Sequence, residues 1–241
     1  MITSSHDKYE GFIRHYWQYY KELENEILNT RRYVDFDEKN KSSFSVEYLK
    51  LYQAICSEVD VLGKTIAAEI NPCFKPEDKQ NNIYKWWLVI QDDIRFPVWD
   101  DERLVWTYVA LEQAKVDFFC YLPSQPWKNF RTEQRLNTRR QQRTELVSGK
   151  QIPKWWSSYN KVKHHRTSHV SSNSSDINYT LANLGNVADA AAALYILEMA
   201  YMHAVGTKDD IEAFADNSCL FEKNLNATTA DISRILDGGE L

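Results

Sequence analysis

Along four stretches of the chain apolar residues return at three- and four-residue steps, and each stretch predicts a helix with one buried face. From residue 7 to about 33 the stripe is Phe12, Tyr16, Tyr19, Leu23 and Ile27. From 46 to about 70 it is Val46, Leu49, Tyr52, Cys56, Val59, Leu62 and Ile66, with Ser45 placed as the N-cap and Asn71-Pro72 as the stop. On that helix Asp60 and Lys64 stand four apart, acid first, a stabilising order on a helix surface. From 178 to about 204 the buried stripe is Leu181, Leu184, Val187, Ala191, Leu194 and Leu197, beside a small-residue run from Ala188 to Ala193. The fourth helix, 154–169, follows the anchor-like pair Trp155-Trp156. At 100° per residue Trp155, Tyr159, Val162, Arg166 and Val170 share one side, and Asn160, Lys163, His164 and Thr167 form the adjoining edge.

Elsewhere the pattern breaks. Residues 83–90 read as a short helix. Residues 102–119 read as a helix on length, although Val105-Trp106-Thr107-Tyr108-Val109 has the residue types of a strand, and both readings stay open. Residues 124–151 are polar and basic, bounded by Pro123, Pro126 and Pro153, and predict a long loop or weakly ordered arm. One or two short helices are expected around 211–214 and 220–225. The predicted fold is mainly all-α: a single helical domain over 1–241, a bundle of long helices carrying a basic, partly β or irregular insertion at 76–152 between its two halves.

Composition agrees with long regular elements. The 241 residues include 8 Trp and 14 Tyr but only 7 Gly and 6 Pro, and a chain of that length can bury a core without disulfides. Cys56, Cys73, Cys120 and Cys219 lie far apart with no CxxC spacing, which predicts buried thiols in a cytoplasmic protein. The first residues lack the blocks of a signal peptide, and no run approaches the ~18 apolar residues of a membrane span. No membrane partner is expected, and the Asn-x-Ser/Thr triplets at Asn173, Asn178 and Asn226 read as chance matches.

Charge is distributed unevenly. Residues 128–166 hold eleven Lys and Arg against Glu133 and Glu145, a surplus of nine in a chain of net charge -5. A basic segment in an acidic chain suits either a polyanionic partner or a solvated arm. Within it Arg131, Arg135, Arg139, Arg140 and Arg143 are candidate phosphate ligands, since guanidinium groups match phosphate oxygens in pairs.

Serine-nucleophile, P-loop and dinucleotide chemistry lack their glycine motifs here. His165 and His169 stand four apart, but no carboxylate lies in HExxH register and basic residues surround them, so neither a metal nor a cofactor is expected. Glu58, on the flank of its helix beside Leu51, Ile55 and Leu62, reads either as a functional acid or as a carboxylate reaching solvent. The remaining candidate site is Asn160, Lys163, His164 and Arg166. Its imidazole can move a proton near neutrality, its cations can stabilise charge growing on a phosphoryl group, and its amide can orient substrate or imidazole.

At Tyr159-Asn160-Lys161-Val162-Lys163-His164 the chain resembles the HEPN superfamily (higher eukaryotes and prokaryotes nucleotide-binding), helical bundles whose hallmark is an arginine, a polar residue and a histidine a few positions on. Asn160 and His164 match the polar residue and the histidine, while Tyr159 stands where the hallmark has arginine. The resemblance implies a homodimer that joins two copies of the motif in one cleft. It also implies metal-independent endoribonuclease activity of the toxin or phage-defence kind, with His164 assisting 2'-hydroxyl attack and leaving-group protonation. Lys163 or Arg166 would supply the missing positive charge. RNA is the expected partner, with a partner protein or antitoxin beside it. The alternative is a non-enzymatic helical interaction module, and a third reading is a small nucleotide site within the bundle.

Overall fold

One helix, α6 (Leu184–Val205), leaves no residue exposed, and the other elements pack around it. A helix apolar on all sides belongs inside a fold, not on its surface. The computed structural model describes residues 2–100, 102–119, 122–136, 142–214 and 218–221. Two helices, α1 (His6–Phe12) and α2 (Gln18–Thr30), are joined through a wider π-helical turn at Ile13–Trp17. They pack with α3 (Val46–Ile70) against α6. The Ser45 hydroxyl accepts the Tyr48 N–H at 3.1 Å and so starts α3 where the sequence places its cap. Lys64 meets Asp60 at 2.6 Å.

The all-α expectation is overturned. Among the described residues six strands form three antiparallel hairpins, so the fold is mixed α/β and not a helical bundle. After α4 (Ile83–Ile90), β1 (Arg95–Asp100) pairs with β2 (Val105–Ala110), matching Phe96 to Val109 and Trp99 to Trp106. Then β3 (Val116–Phe118) pairs with β4 (Leu122–Ser124), and β5 (Thr132–Leu136) with β6 (Gln142–Leu146). The helix expected over 102–119 is thus β2, a single 3-10 turn at Leu111–Gln113 and β3. The β-branched and aromatic run at 105–109 takes the pleat that suits it. The loop expected over 124–151 contains the paired strands β5 and β6, which escape notice because neither face is continuously apolar.

Tryptophans fix the second half of the chain to the first. Trp86, Trp87, Trp127 and Trp155 are almost fully buried, and Trp87 stacks on Trp127 with ring centroids 4.6 Å apart. Each indole N–H has an acceptor: Asp60 for Trp86, the Phe130 carbonyl for Trp87, the Ala193 carbonyl for Trp127 and the Pro126 carbonyl for Trp155. This is how an indole is buried without stranding its polar edge. Residues 83–146 therefore feed the same core as the helices. The cluster also seats α5 (Lys154–His165), whose Trp155 carbonyl accepts the buried Tyr52 hydroxyl.

Two further helices differ from expectation at their ends. The helix expected over 154–169 stops at His165, and the one expected from 178 is a 3-10 turn, Asn178–Leu181, followed by α6. The short helix expected at 211–214 is α7 (Lys208–Ala213), started by a Thr207–Asp210 capping box. Of 220–225, only Leu220 and Phe221 are among the described residues, a bend followed by a bridge from Phe221 to Phe118 of β3. Cys56 is buried as expected. Cys73 and Cys219 are exposed, because their segments lie on the surface, and Cys120 lies outside the described residues. No described helix is long and apolar enough to cross a membrane.

Buried on α2, the Glu24 carboxylate gathers residues 218–221 into the fold. Its Oε1 accepts from the Tyr20 hydroxyl at 3.1 Å, the Ser218 hydroxyl at 2.5 Å and the N–H groups of Cys219 and Leu220 at 3.0 and 3.2 Å. Lys21 pairs with its other oxygen. The Leu220 carbonyl in turn accepts the Phe119 N–H, and Phe221 stacks on Tyr195 of α6.

Candidate nucleic-acid interface

Two basic surfaces emerge from residues 128–166, and they differ in how their charge is met. On the first, the β5–β6 hairpin, Arg131 lies against Asp92 with both carboxylate oxygens within 3.0 Å and has Glu112 at 3.8 Å. Arg135 and Arg143 face each other across the strands, each matched by the acid two residues away on its own strand, Glu133 at 2.5 Å and Glu145 at 3.4 Å. The arm thus becomes a hairpin whose described arginines already carry carboxylate partners. Arg139 and Arg140 lie outside the described residues.

The second surface is α5. Lys154, Lys161, Lys163 and Arg166 are all exposed, and among the described residues none of them forms an ion pair. The helix is pinned at its start by Trp155 and Tyr52, while Trp156, Tyr159 and Val162 turn its apolar side inward. Its end is held by a returning loop: the Asn178 amide donates to the His165 carbonyl at 2.8 Å, and the Tyr179 N–H to the Arg166 carbonyl at 3.0 Å. These bonds satisfy carbonyls that a helix terminus otherwise leaves open. The His164 ring sits one residue inside this fastened end, exposed and without a hydrogen bond among the described residues.

Helix geometry sorts the predicted site. Asn160, Lys163 and His164 lie within about 100° of one another around α5, so they share an edge. Arg166 falls on a different side, continuing the line of Tyr159 and Val162 at the C-cap. It is exposed but does not join the other three. Tyr159, where the resembling family has arginine, is buried and packs edge-on against Tyr52 at 5.9 Å. Directly above it the Lys163 ammonium lies 5.4 Å from the ring centroid, within cation–π range. Burial pushes the Tyr159 phenol up, and Lys163 offsets part of that shift.

No group of three or more His, Cys, Asp or Glu side chains among the described residues is placed to hold a metal ion. His169 has left the helix and pairs by its backbone with Ile177, so it no longer lines up with His165.

Sequence reasoning found Glu58 but missed its neighbour. Glu58 is half-buried on α3, and burial raises its carboxyl above the usual range. Across from it on α6, Glu198 is fully buried, and neither oxygen has a hydrogen-bond partner among the described residues. Burial, with the Glu58 carboxylate second, holds the Glu198 carboxyl well above the usual range. Also missed is His203, largely buried beneath the β1–β2 hairpin with Trp106 edge-on at 4.7 Å, where desolvation lowers its pKa to about 4. The carboxylate and the imidazole both sit in the long apolar run of α6, where an isolated polar residue reads as a surface position.

Compared with protein-family models, with curated proteins and with solved structures, the chain finds no match in any of the three.

Proposed function

We propose that the protein binds RNA along α5 and cleaves it without a metal, in the manner of a HEPN-like endoribonuclease. The supporting observation is the run of cations on α5, without ion pairs among the described residues, that surrounds an exposed imidazole at His164 with no hydrogen bond among them. In this reading Lys163 and Lys161 hold phosphate oxygens, and Asn160, one turn before His164, orients the ribose or the ring. His164 takes the 2'-hydroxyl proton as that oxygen attacks phosphorus, and the bond from phosphorus to the 5'-oxygen breaks. The proton needed by the leaving oxygen comes from an imidazolium, either the same ring or that of a second copy. The products are a 2',3'-cyclic phosphate and a 5'-hydroxyl.

The test is cleavage of a structured RNA in the presence of chelator. Removal of a general acid–base group costs on the order of 100- to 10,000-fold in rate, so His164→Ala is expected to lose at least a hundredfold while still binding. Equal cleavage by both proteins would rule the catalyst out.

A non-enzymatic interaction module is the second reading, and one observation favours it. Leu104, Val105, Trp106 and Tyr108 leave an apolar, partly aromatic ridge exposed on β2 and the turn before it, the kind of surface found at protein contacts. Added salt separates the two readings, because binding of a polyanion weakens steeply with salt and an apolar contact does not.

A further inference from the structure

The register of β5 and β6 determines which of their backbone groups are open. Beyond the strand ends the Val147 N–H donates to the Arg131 carbonyl at 3.0 Å. Bonded and unbonded pairs alternate in an antiparallel ladder, so the pairs that exchange hydrogen bonds are Glu133 with Glu145 and Arg135 with Arg143. The N–H and carbonyl groups of the even residues point away from the hairpin. At Thr132 this is visible directly: the Gln91 side chain donates to its carbonyl at 2.8 Å and accepts its N–H at 3.0 Å. Gln91 thereby closes the start of the β5 edge as a neighbouring strand would. On β6 the outward groups of Gln142, Thr144 and Leu146 have no such partner among the described residues.

A groove with a cavity volume of about 870 Å3 borders that strand. It touches all five residues of β6, Gln142 to Leu146, but only Gln134 of β5. A wall lying against one face of a strand would meet alternate residues, since successive side chains point to opposite faces. Meeting all five places the groove along the β6 edge. The facing wall is the outer side of α4, with Tyr84, Lys85 and Leu88, and the loop that carries Phe74 and Lys75. Neither lysine forms an ion pair among the described residues, whereas Arg143 is matched by Glu145 and one Asp78 oxygen by the Gln80 N–H.

We propose that β6 is a docking edge for an extended, acidic peptide of a partner protein, which adds as a third strand on Gln142, Thr144 and Leu146 and sets alternate acidic side chains against Lys75 and Lys85. The open groups recur every second residue, about 7 Å apart, as donor and acceptor together. That repeat fits a polypeptide strand, and edge addition is an established mode of peptide capture. A nucleic-acid strand has no matching ladder. A second copy of this chain would bring the same two lysines against each other.

The experiment selects ten-residue peptides from a displayed library against the full chain and measures the enriched peptides by fluorescence anisotropy. Enriched peptides should alternate acidic with β-branched residues. Thr144→Pro removes one outward N–H and no bond within the hairpin, because proline is tolerated where a strand edge faces outward. It is expected to weaken binding at least tenfold, with Thr144→Val changing it less than twofold. The surface pair Lys75→Glu and Lys85→Glu should also lose tenfold and does not depend on the hairpin tolerating proline. Bound peptide should shield Cys73, which is exposed in the groove, from alkylation mapped by mass spectrometry. The proposal is overturned if no sequence is enriched, or if the peptides bind the proline and glutamate variants as they bind the parent. It is equally overturned if single-stranded RNA shields Cys73 instead, or if sedimentation shows a dimer that Thr144→Pro abolishes.

Discussion

Glu198 has only apolar residues beside it in the chain, Leu197 and Met199, and both its oxygens are buried without a partner among the described residues. Its carboxyl is raised in the fold, so the folded state holds the proton more tightly than the unfolded chain, whose carboxyl titrates near 4.5. The stability that comes with this protonation is complete below that value and is lost as pH rises towards the folded pKa. Glu198→Gln keeps the shape and removes the ionisation. At pH 8 it should be the more stable protein, because folding no longer has to take up a proton or bury an ionised carboxylate, with the gap closing towards pH 4; melting curves at both pH values decide it. Gly63 is constrained by space instead. A Cβ there would lie 2.8 Å from the Trp86 ring, and that ring is fully buried with its N–H on Asp60. Gly63→Ala is expected to cost about 1–3 kcal/mol in denaturant unfolding, as overpacked cores do.

At the scale of elements, the β1–β2 hairpin rests on a histidine that stays neutral. The folded His203 has its pKa lowered to about 4 from 6.5, so its contribution is complete above pH 6.5 and is lost as pH falls through 4. The difference corresponds to on the order of 3 kcal/mol. Acidification from pH 7 to 4 should therefore loosen this hairpin before the helices, seen as faster amide exchange across β2 and a change in tryptophan emission. His203→Phe should remove most of that dependence.

Which elements could be read from the chain follows from how many of their faces are buried. In α3 one side is apolar, so its period, its Ser45 cap and its Asn71-Pro72 stop all stand in the sequence. In α6 burial on every side still leaves a long apolar run, although the one-sided stripe understated it. β2 was ambiguous because a short apolar run has no period that separates helix from strand. β5 and β6 were hidden because both their faces meet polar surroundings for most of their length, as the sequence TEQRL facing QRTEL shows. The same logic covers the candidate site. The shared edge of Asn160, Lys163 and His164 follows from a 100° step, whereas the open edge of β6 depends on pairing that no local pattern encodes.

For the molecule as a whole, a net charge of -5 coexists with a helix whose cations are unmatched. If α5 meets RNA, Lys161, Lys163 and Arg166 contribute to the salt dependence of binding, while Arg135 and Arg143 are already balanced by Glu133 and Glu145. Each phosphate contact on a single strand contributes about 0.7 to the slope of log affinity against log salt. Replacing the three α5 cations by alanine should lower that slope by about 2, and replacing the two hairpin arginines should leave it nearly unchanged. Titration of one labelled RNA at four salt concentrations measures both.

The Glu24 junction bears on how the chain is made. Its donors at Cys219 and Leu220 stand 195 and 196 positions downstream of the carboxylate, and contacts that distant form slowly because so much chain must first be ordered. A nascent chain exposes this acid long before those two amides, which follow it by 195 and 196 residues, can meet it. A fragment that stops short of Cys219 leaves the carboxylate without either amide, so such fragments should be readily degraded.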